Sequence, residues 1–152
     1  MRIVAGERDR HAMGCAAILN AWIDATDWMP RIHAPASVEW FVRDVVFAMR
    51  RVWVAEDGDG TRGFLALDIE NTITALYVAD SARGHGIGRM LLDCAKREDH
   101  ALELWVFQSN ANARRFYERE GFHEVRRTDG DNEEGVPDVL MRWNRRPMRW
   151  NG

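Results

Sequence analysis

The chain has 152 residues, with 21 Lys plus Arg against 24 Asp plus Glu, a formal net charge of −3 and 46% hydrophobic residues. The near balance of charge excludes a protein that coats nucleic acid, and the apolar content excludes a disordered chain. A chain of this length is expected to fold as one domain, burying about 70% of the surface that its unfolded form exposes.

Met1 to Ala5 reads as a short first strand. From Asp9 to Ala25, apolar residues at Ala12, Cys15, Ala16, Leu19, Trp22 and Ile23 step by three and four, which predicts an amphipathic helix. It overlaps the longest stretch without a charged side chain, His11 to Ile23. That stretch is shorter than the ~20 apolar residues of a membrane span, so no membrane contact is expected. Glu7, Arg8, Asp9 and Arg10 stand where an export signal would need its apolar core, and a cytoplasmic location follows as the expectation. Pro30 and Pro35 break the helix, and Ser37 is expected to cap a second one through Trp40, Phe41, Val45, Val46 and Met49.

The period then changes. Val52 to Ala55, the turn Asp57-Gly58-Asp59-Gly60, Gly63 to Ile69, the turn Glu70-Asn71 and Thr72 to Ala79 predict an antiparallel three-strand meander. A glycine cluster leads into a helix with Ile87, Leu91, Cys94 and Ala95 inside. Leu102 to Phe107 follows as a near-continuous apolar run, expected to be a strand buried on both faces and parallel to the strand before the helix. Ser109 or Asn110 caps a short helix with Ala113, Phe116 and Tyr117 inside, and Gly121 with Phe122 closes it. Phe122 to Arg127 and Val136 to Trp143 form a last antiparallel pair. The whole chain, 1–152, is read as a single domain: strand and first helices in 1–50, core in 51–143, and a tail in 144–152, frayed or packed only at Trp150.

Cys15 and Cys94 are far apart in a chain that needs no staples and are expected to be reduced and buried. The histidines at 11, 33, 85, 100 and 123 lack metal-ligand spacing, so no metal is expected. Of the 21 basic residues only Lys96 is a lysine, a bias read as genomic.

Arg83-Gly84-His85-Gly86-Ile87-Gly88 lies between a strand and a helix start. Glycines let backbone N–H groups approach an anion, and the helix N-terminus adds its positive dipole end, so the segment suits a phosphate or pyrophosphate. The dinucleotide fingerprint fails at Arg89, and no Lys-Ser or Lys-Thr pair follows as in a P-loop. A tight turn without a ligand is the plain alternative.

These residues resemble the GNAT superfamily of acyl-CoA-dependent N-acyltransferases, whose signature is Gln or Arg, two residues, Gly, one residue, then Gly or Ala. Arg83, Gly86 and Gly88 match it. A second motif follows in order: the strand Leu104 to Phe107, Asn110, Phe116-Tyr117-Glu118 and Gly121-Phe122. The resemblance spans about Val52 to Trp143, while the first two helices match in position alone. It implies a mixed α/β fold, mostly antiparallel, with a central parallel strand pair splayed to hold coenzyme A and helices on both faces. Acetyl-CoA is the implied co-substrate. The resemblance assigns main-chain contacts with its pantetheine arm to Leu76, Tyr77 and Val78, and pyrophosphate contacts to Gly84, His85, Gly86, Ile87, Gly88 and Arg89. Arg83 adds charge or braces the loop, and Asn110 caps its helix and meets the pantetheine.

Tyr117 is implied as the general acid, because a phenol of pKa about 10 can hydrogen-bond to or protonate a thiolate whose conjugate acid is near 8.5. An ordinary inner-face aromatic is the alternative. No carboxylate lies on Thr72 to Val78; Asp68 and Glu70 stand before it, and the general base is left unassigned. Asp129, Asp131, Glu133, Glu134 and Asp138, with no basic residue from Thr128 to Asp138, suit the rim of a cationic acceptor site, or else a solvated loop. Asp24, Asp27, Trp28 and His33 are expected as the opposite wall, Trp28 as an aromatic face for an ammonium.

The resulting expectation is acetyl transfer to a primary amine of a small cationic metabolite. A protein or peptide N-acetyltransferase and a non-catalytic acyl-CoA-binding module are the alternatives. No nucleic-acid partner is expected, and a homodimer stands open with no patch assigned to it.

Overall fold

The computed structural model describes residues 1–145, so the expectation for Trp150 lies outside the described residues. In chain order the elements are β1 (Arg2–Ala5), α1 (Arg8–Ala25), α2 (Pro35–Phe41), α3 (Phe47–Met49), β2 (Arg51–Asp57), β3 (Gly60–Leu67) and β4 (Thr72–Val78), then α4 (Ile87–Glu98), β5 (Ala101–Phe107), α5 (Ala111–Arg119), β6 (His123–Thr128) and β7 (Asp138–Asn144). One seven-stranded sheet runs β1-β2-β3-β4-β5-β7-β6, and every neighbouring pair is antiparallel except β4 and β5. The predicted meander, the parallel pair and the last hairpin are all present.

Two cores flank the sheet. Cys15 and Ala16 of α1 with Val38, Val42 and Val46 cover Val54, Phe64 and Ala66 on one face. Leu91, Leu92 and Ala95 of α4 cover Leu65, Leu67 and Leu104 on the other. Small residues let α1 sit close: a Cβ on Gly14 would stand 2.7 Å from the Thr61 hydroxyl. At its N-terminus buried Glu56 accepts from Arg10 Nη2 at 2.7 Å and Arg2 Nε at 3.2 Å, and pairs with His11 Nε2 at 2.9 Å. The Glu7 backbone N–H donates to His11 Nδ1, leaving Nε2 to carry the proton toward Glu56.

Three expectations need correction. Ser37 is not a cap: α2 starts at Pro35 after Ala34, because proline needs no N–H partner in a first turn. Trp40, Phe41 and Met49 are exposed, not inner, since Val38, Val42 and Val46 take the core and a π-helical turn, Val42–Val46, follows α2. β5 is buried on one face only: Leu102, Leu104 and Val106 point into the core, whereas Trp105 is exposed beneath the Arg126 guanidinium, 5.2 Å from its ring. The α1 and α2 core reaches β4 at Ala75 and Tyr77 and includes no residue of β5.

Candidate active site

The parallel ladder between β4 and β5 spans only Thr72 with Glu103 and Ile73 with Leu104. On the other side of β4, Ala66 pairs with Ala75 and Leu67 with Ile73, so Thr74 is an extra residue, a β-bulge. A bulge adds local twist and ends regular pairing. Beyond it β4 parts from β5, leaving main-chain groups from Thr74 to Val78 facing a cleft of about 820 Å³.

Each end of the cleft has its own chemistry. Gly84 and Gly86 hold φ of +83° and +75°, and a Cβ at either would touch nothing within 4 Å, so glycine is required there by conformation. Gly86 is the N-cap of α4, and the first N–H groups of that helix have no intrahelical acceptor. Gly88 serves closeness instead, with its Cβ position 3.4 Å from the Phe116 ring. Arg83 and Arg89 border this end, paired at 3.5 Å with Asp80 and Glu120 respectively. An open strand edge leading to a glycine-lined helix start fits a ligand with amides along one part and phosphates at the other, as in coenzyme A.

On the far wall Asn110 accepts from the Ala113 N–H at 3.2 Å, capping α5. Gly121, at φ +95°, closes that helix: its N–H donates to the Glu118 carbonyl and the Phe122 N–H to the Tyr117 carbonyl, both bonds of a Schellman motif. This close fixes Tyr117 between the rings of Phe116 at 5.2 Å and Phe122 at 5.5 Å. Burial, and then the nearby Tyr77, push the Tyr117 phenol well above its ordinary pKa, so it stays protonated.

A second cavity of about 480 Å³ lies against α1 and α2, lined by apolar side chains with His33, Glu133 and Glu134 among its polar groups. Trp22, Tyr77 and Phe107 line both cavities and so mark where they meet. The Tyr77 ring lies tilted against Trp22 at 5.3 Å, and burial, then the Glu134 carboxylate, raise its phenol to about 12.

The large cleft gathers Leu76, Tyr77, Val78, Arg83, Gly84, Gly86, Ile87, Gly88, Arg89, Asn110 and Tyr117. His85 is exposed outside its lining. Of the acceptor-side candidates, Glu133 and Glu134 line the smaller cavity and Asp27 does not. Trp28 does not line it either; it packs edge-on behind Trp22 and Phe107, at 5.9 and 5.6 Å. Asp24 is held by Arg31 at 2.9 Å. Asp138 is no rim charge: it is buried and ties the loop through Thr128 and Asn132. The Asp68 carboxylate closes the turn before β4 by accepting from the Glu70 and Thr72 N–H groups, and Glu70 is exposed, so neither faces the cleft.

The junction carries no signal of its own in the sequence. The resemblance assigns Tyr77 through its main chain alone, yet strand alternation opposite Leu76 and Val78 turns its ring to the α1 face of the sheet. The sequence places Trp22 only on the apolar face of α1, and Ile32, Trp40 and Phe41 of the cavity wall carry no signal beyond apolarity. The His33–Glu133 hydrogen bond, which joins loops 100 residues apart across the cavity, had none. Among the described residues no group of three metal-ligating side chains stands together, and no helix is long and apolar enough to cross a membrane.

Residues 48–124 match the family model of the acetyltransferase (GNAT) domain. The peptidyl-lysine N-acetyltransferase YiaC of Escherichia coli (strain K12) is 33% identical over 130 residues, covering 84% of this chain and 88% of that protein. The peptidyl-lysine N-acetyltransferase YjaB of Salmonella typhimurium is 33% identical over 138 residues, covering 88% and 92% respectively. The solution structure of apo YjaB from Escherichia coli has a TM-score of 0.75 to this fold at 25% identity, covering 95% of this chain and 98% of that one. The splayed strands, the glycine loop and these likenesses together identify the chain as a member of the GNAT acetyltransferase family, an acyl-CoA-dependent N-acetyltransferase that uses acetyl-CoA.

Proposed function

We propose that the chain acetylates the side-chain amine of lysine in a protein or peptide. The observation that carries this reading is the acceptor cavity. It has an apolar wall of Leu19, Ile23, Met29 and Val38, suited to a four-carbon stem, it carries Glu133 and Glu134, and it meets the cleft at Trp22, Tyr77 and Phe107. The names of the relatives that cover most of the chain, peptidyl-lysine N-acetyltransferases, support the same acceptor.

Bound acetyl-CoA supplies an acetyl group activated as a thioester. The open edge of β4 at Leu76, Tyr77 and Val78 holds its pantetheine amides, and the N–H groups from Gly84 to Arg89 hold its phosphates. Glu134 draws the ammonium toward the junction; the ammonium releases one proton to water, and the resulting neutral amine attacks the thioester carbonyl. Tyr117, which burial keeps protonated and makes a weaker acid, hydrogen-bonds to the departing sulfur and passes its phenolic proton to it only as it takes one from the nitrogen. Trp22, Tyr77 and Phe107 exclude water at that point.

The small-amine reading also has an observation in its favour, because a cavity of about 480 Å³ is of small-ligand size. Thiol release and product mass, measured with lysine peptides and with free short diamines, separate the two. The expected result is a higher kcat/KM for peptides; turnover of diamines without turnover of any lysine peptide would overturn the lysine assignment.

A further inference from the structure

Three large apolar side chains flank the acceptor cavity without being buried: Ile32 in the connection after α1 is 45% exposed, and Trp40 and Phe41 of α2 are 54% and 40% exposed. They are not spare core residues. Val38, Val42 and Val46 fill the inner face of that helix, and the π-helical turn continues it with the aromatic pair outside. Each of the three also lines the cavity, so the ledge outside and the wall inside are one apolar surface. The same cavity is lined by His33 and Glu133, hydrogen-bonded to each other, and by Glu134.

We infer that this ledge receives an apolar side chain that neighbours the acceptor lysine, so that the enzyme selects lysines in an apolar context. The inference rests on the lysine assignment above. Charge complementarity fixes the occupant: Glu134 draws the ammonium inward to the junction at Tyr77, and the extended chain that carries the lysine then crosses the exposed edge of the cavity, where Ile32, Trp40 and Phe41 lie. Successive side chains of an extended segment point to opposite sides, so a neighbour within three positions of the lysine can reach the ledge. Covering the exposed part of a Trp or Phe removes apolar area from water and favours such a segment over one with glycine there. A second copy of the chain is the poorer occupant, because a dimer seated on the ledge would close the acceptor's own route.

The test uses lysine peptides in which leucine replaces glycine, one at a time, at each position within three residues of the lysine. KM is measured for the wild-type enzyme and for Trp40→Ser and Phe41→Ser, with thermal denaturation as a check on folding. The wild type is expected to show at least one position where leucine lowers KM about 10-fold with kcat nearly constant, and both substitutions should compress that ratio toward one. No leucine preference in the wild type, or a preference that survives both substitutions, would overturn the inference. A change from dimer to monomer in the variants, with the peptide ratio intact, would overturn it in favour of a second copy. Failure of the lysine assignment is separately visible, as diamine turnover without peptide turnover in the wild type before any variant is made.

Discussion

The cofactor cleft and the acceptor cavity meet at three aromatic side chains but are built by different means. The cleft is made largely from main chain: a strand edge released by the Thr74 bulge, two left-handed glycines, a helix start and a capped helix. The cavity is made from side chains whose facing depends on how α1, α2 and the loop between β6 and β7 pack. A main-chain site tolerates many side chains around it and demands a few, whereas a side-chain site is free to be rebuilt. The match to the family model, residues 48–124, covers the first and leaves most of the second outside it.

Tyr117→Phe should produce the largest effect and test whether the chemistry sits on the cofactor side. Turnover is expected to fall about 100- to 1000-fold, with acetyl-CoA still raising the melting temperature as in the wild type. Full turnover at every pH would remove Tyr117 from the acid role. Gly86→Val breaks the main-chain cradle itself: a β-branched residue at φ +75° should cost about 1–2 kcal/mol of stability and blunt the thermal shift given by acetyl-CoA. An undiminished shift would mean that the loop N–H groups do not hold the ligand.

Glu134→Gln probes the other region and should be smaller. The KM for a lysine peptide is expected to rise about 5-fold, with a weaker dependence on salt, while the KM for acetyl-CoA stays put. A matching rise in both constants would dissolve the division between the two sites. The smallest effect concerns Glu56, which lines neither cavity. The His11 hydrogen bond, aided by Arg2 and Arg10, holds its carboxyl below the usual range against the opposing cost of burial. A lowered folded pKa stabilises the fold above the ordinary carboxylate value of about 4.3, and that stability is lost as pH falls below it. Glu56→Gln should therefore flatten the decline in melting temperature on the acid side and leave kcat/KM ratios between acceptors unchanged.

The same division explains what could be read in advance. Strand order, the parallel pair, the glycine loop, the Asn110 cap and the Gly121 close follow from local rules of period, cap and turn. Trp40 and Phe41 misled because their faces are decided by a π-helical turn and by three valines that compete for the core. Trp28 misled for a related reason: an aromatic residue in a loop looks the same whether it lines a cavity or braces two rings behind it. Asp138 counted as one more acidic charge until its position beside Thr128 and Asn132 made it a tie inside the loop.

The shortness of the parallel ladder has a mechanical consequence. With two paired positions between β4 and β5, the sheet is two antiparallel halves stitched along a brief seam. A ligand lying in the gap completes the stitching, so its binding energy doubles as cohesion between the halves. Amide hydrogens that it covers from Thr74 to Val78 should then exchange with solvent in step with its dissociation, which makes hydrogen exchange along one strand a gauge of how firmly the halves are joined.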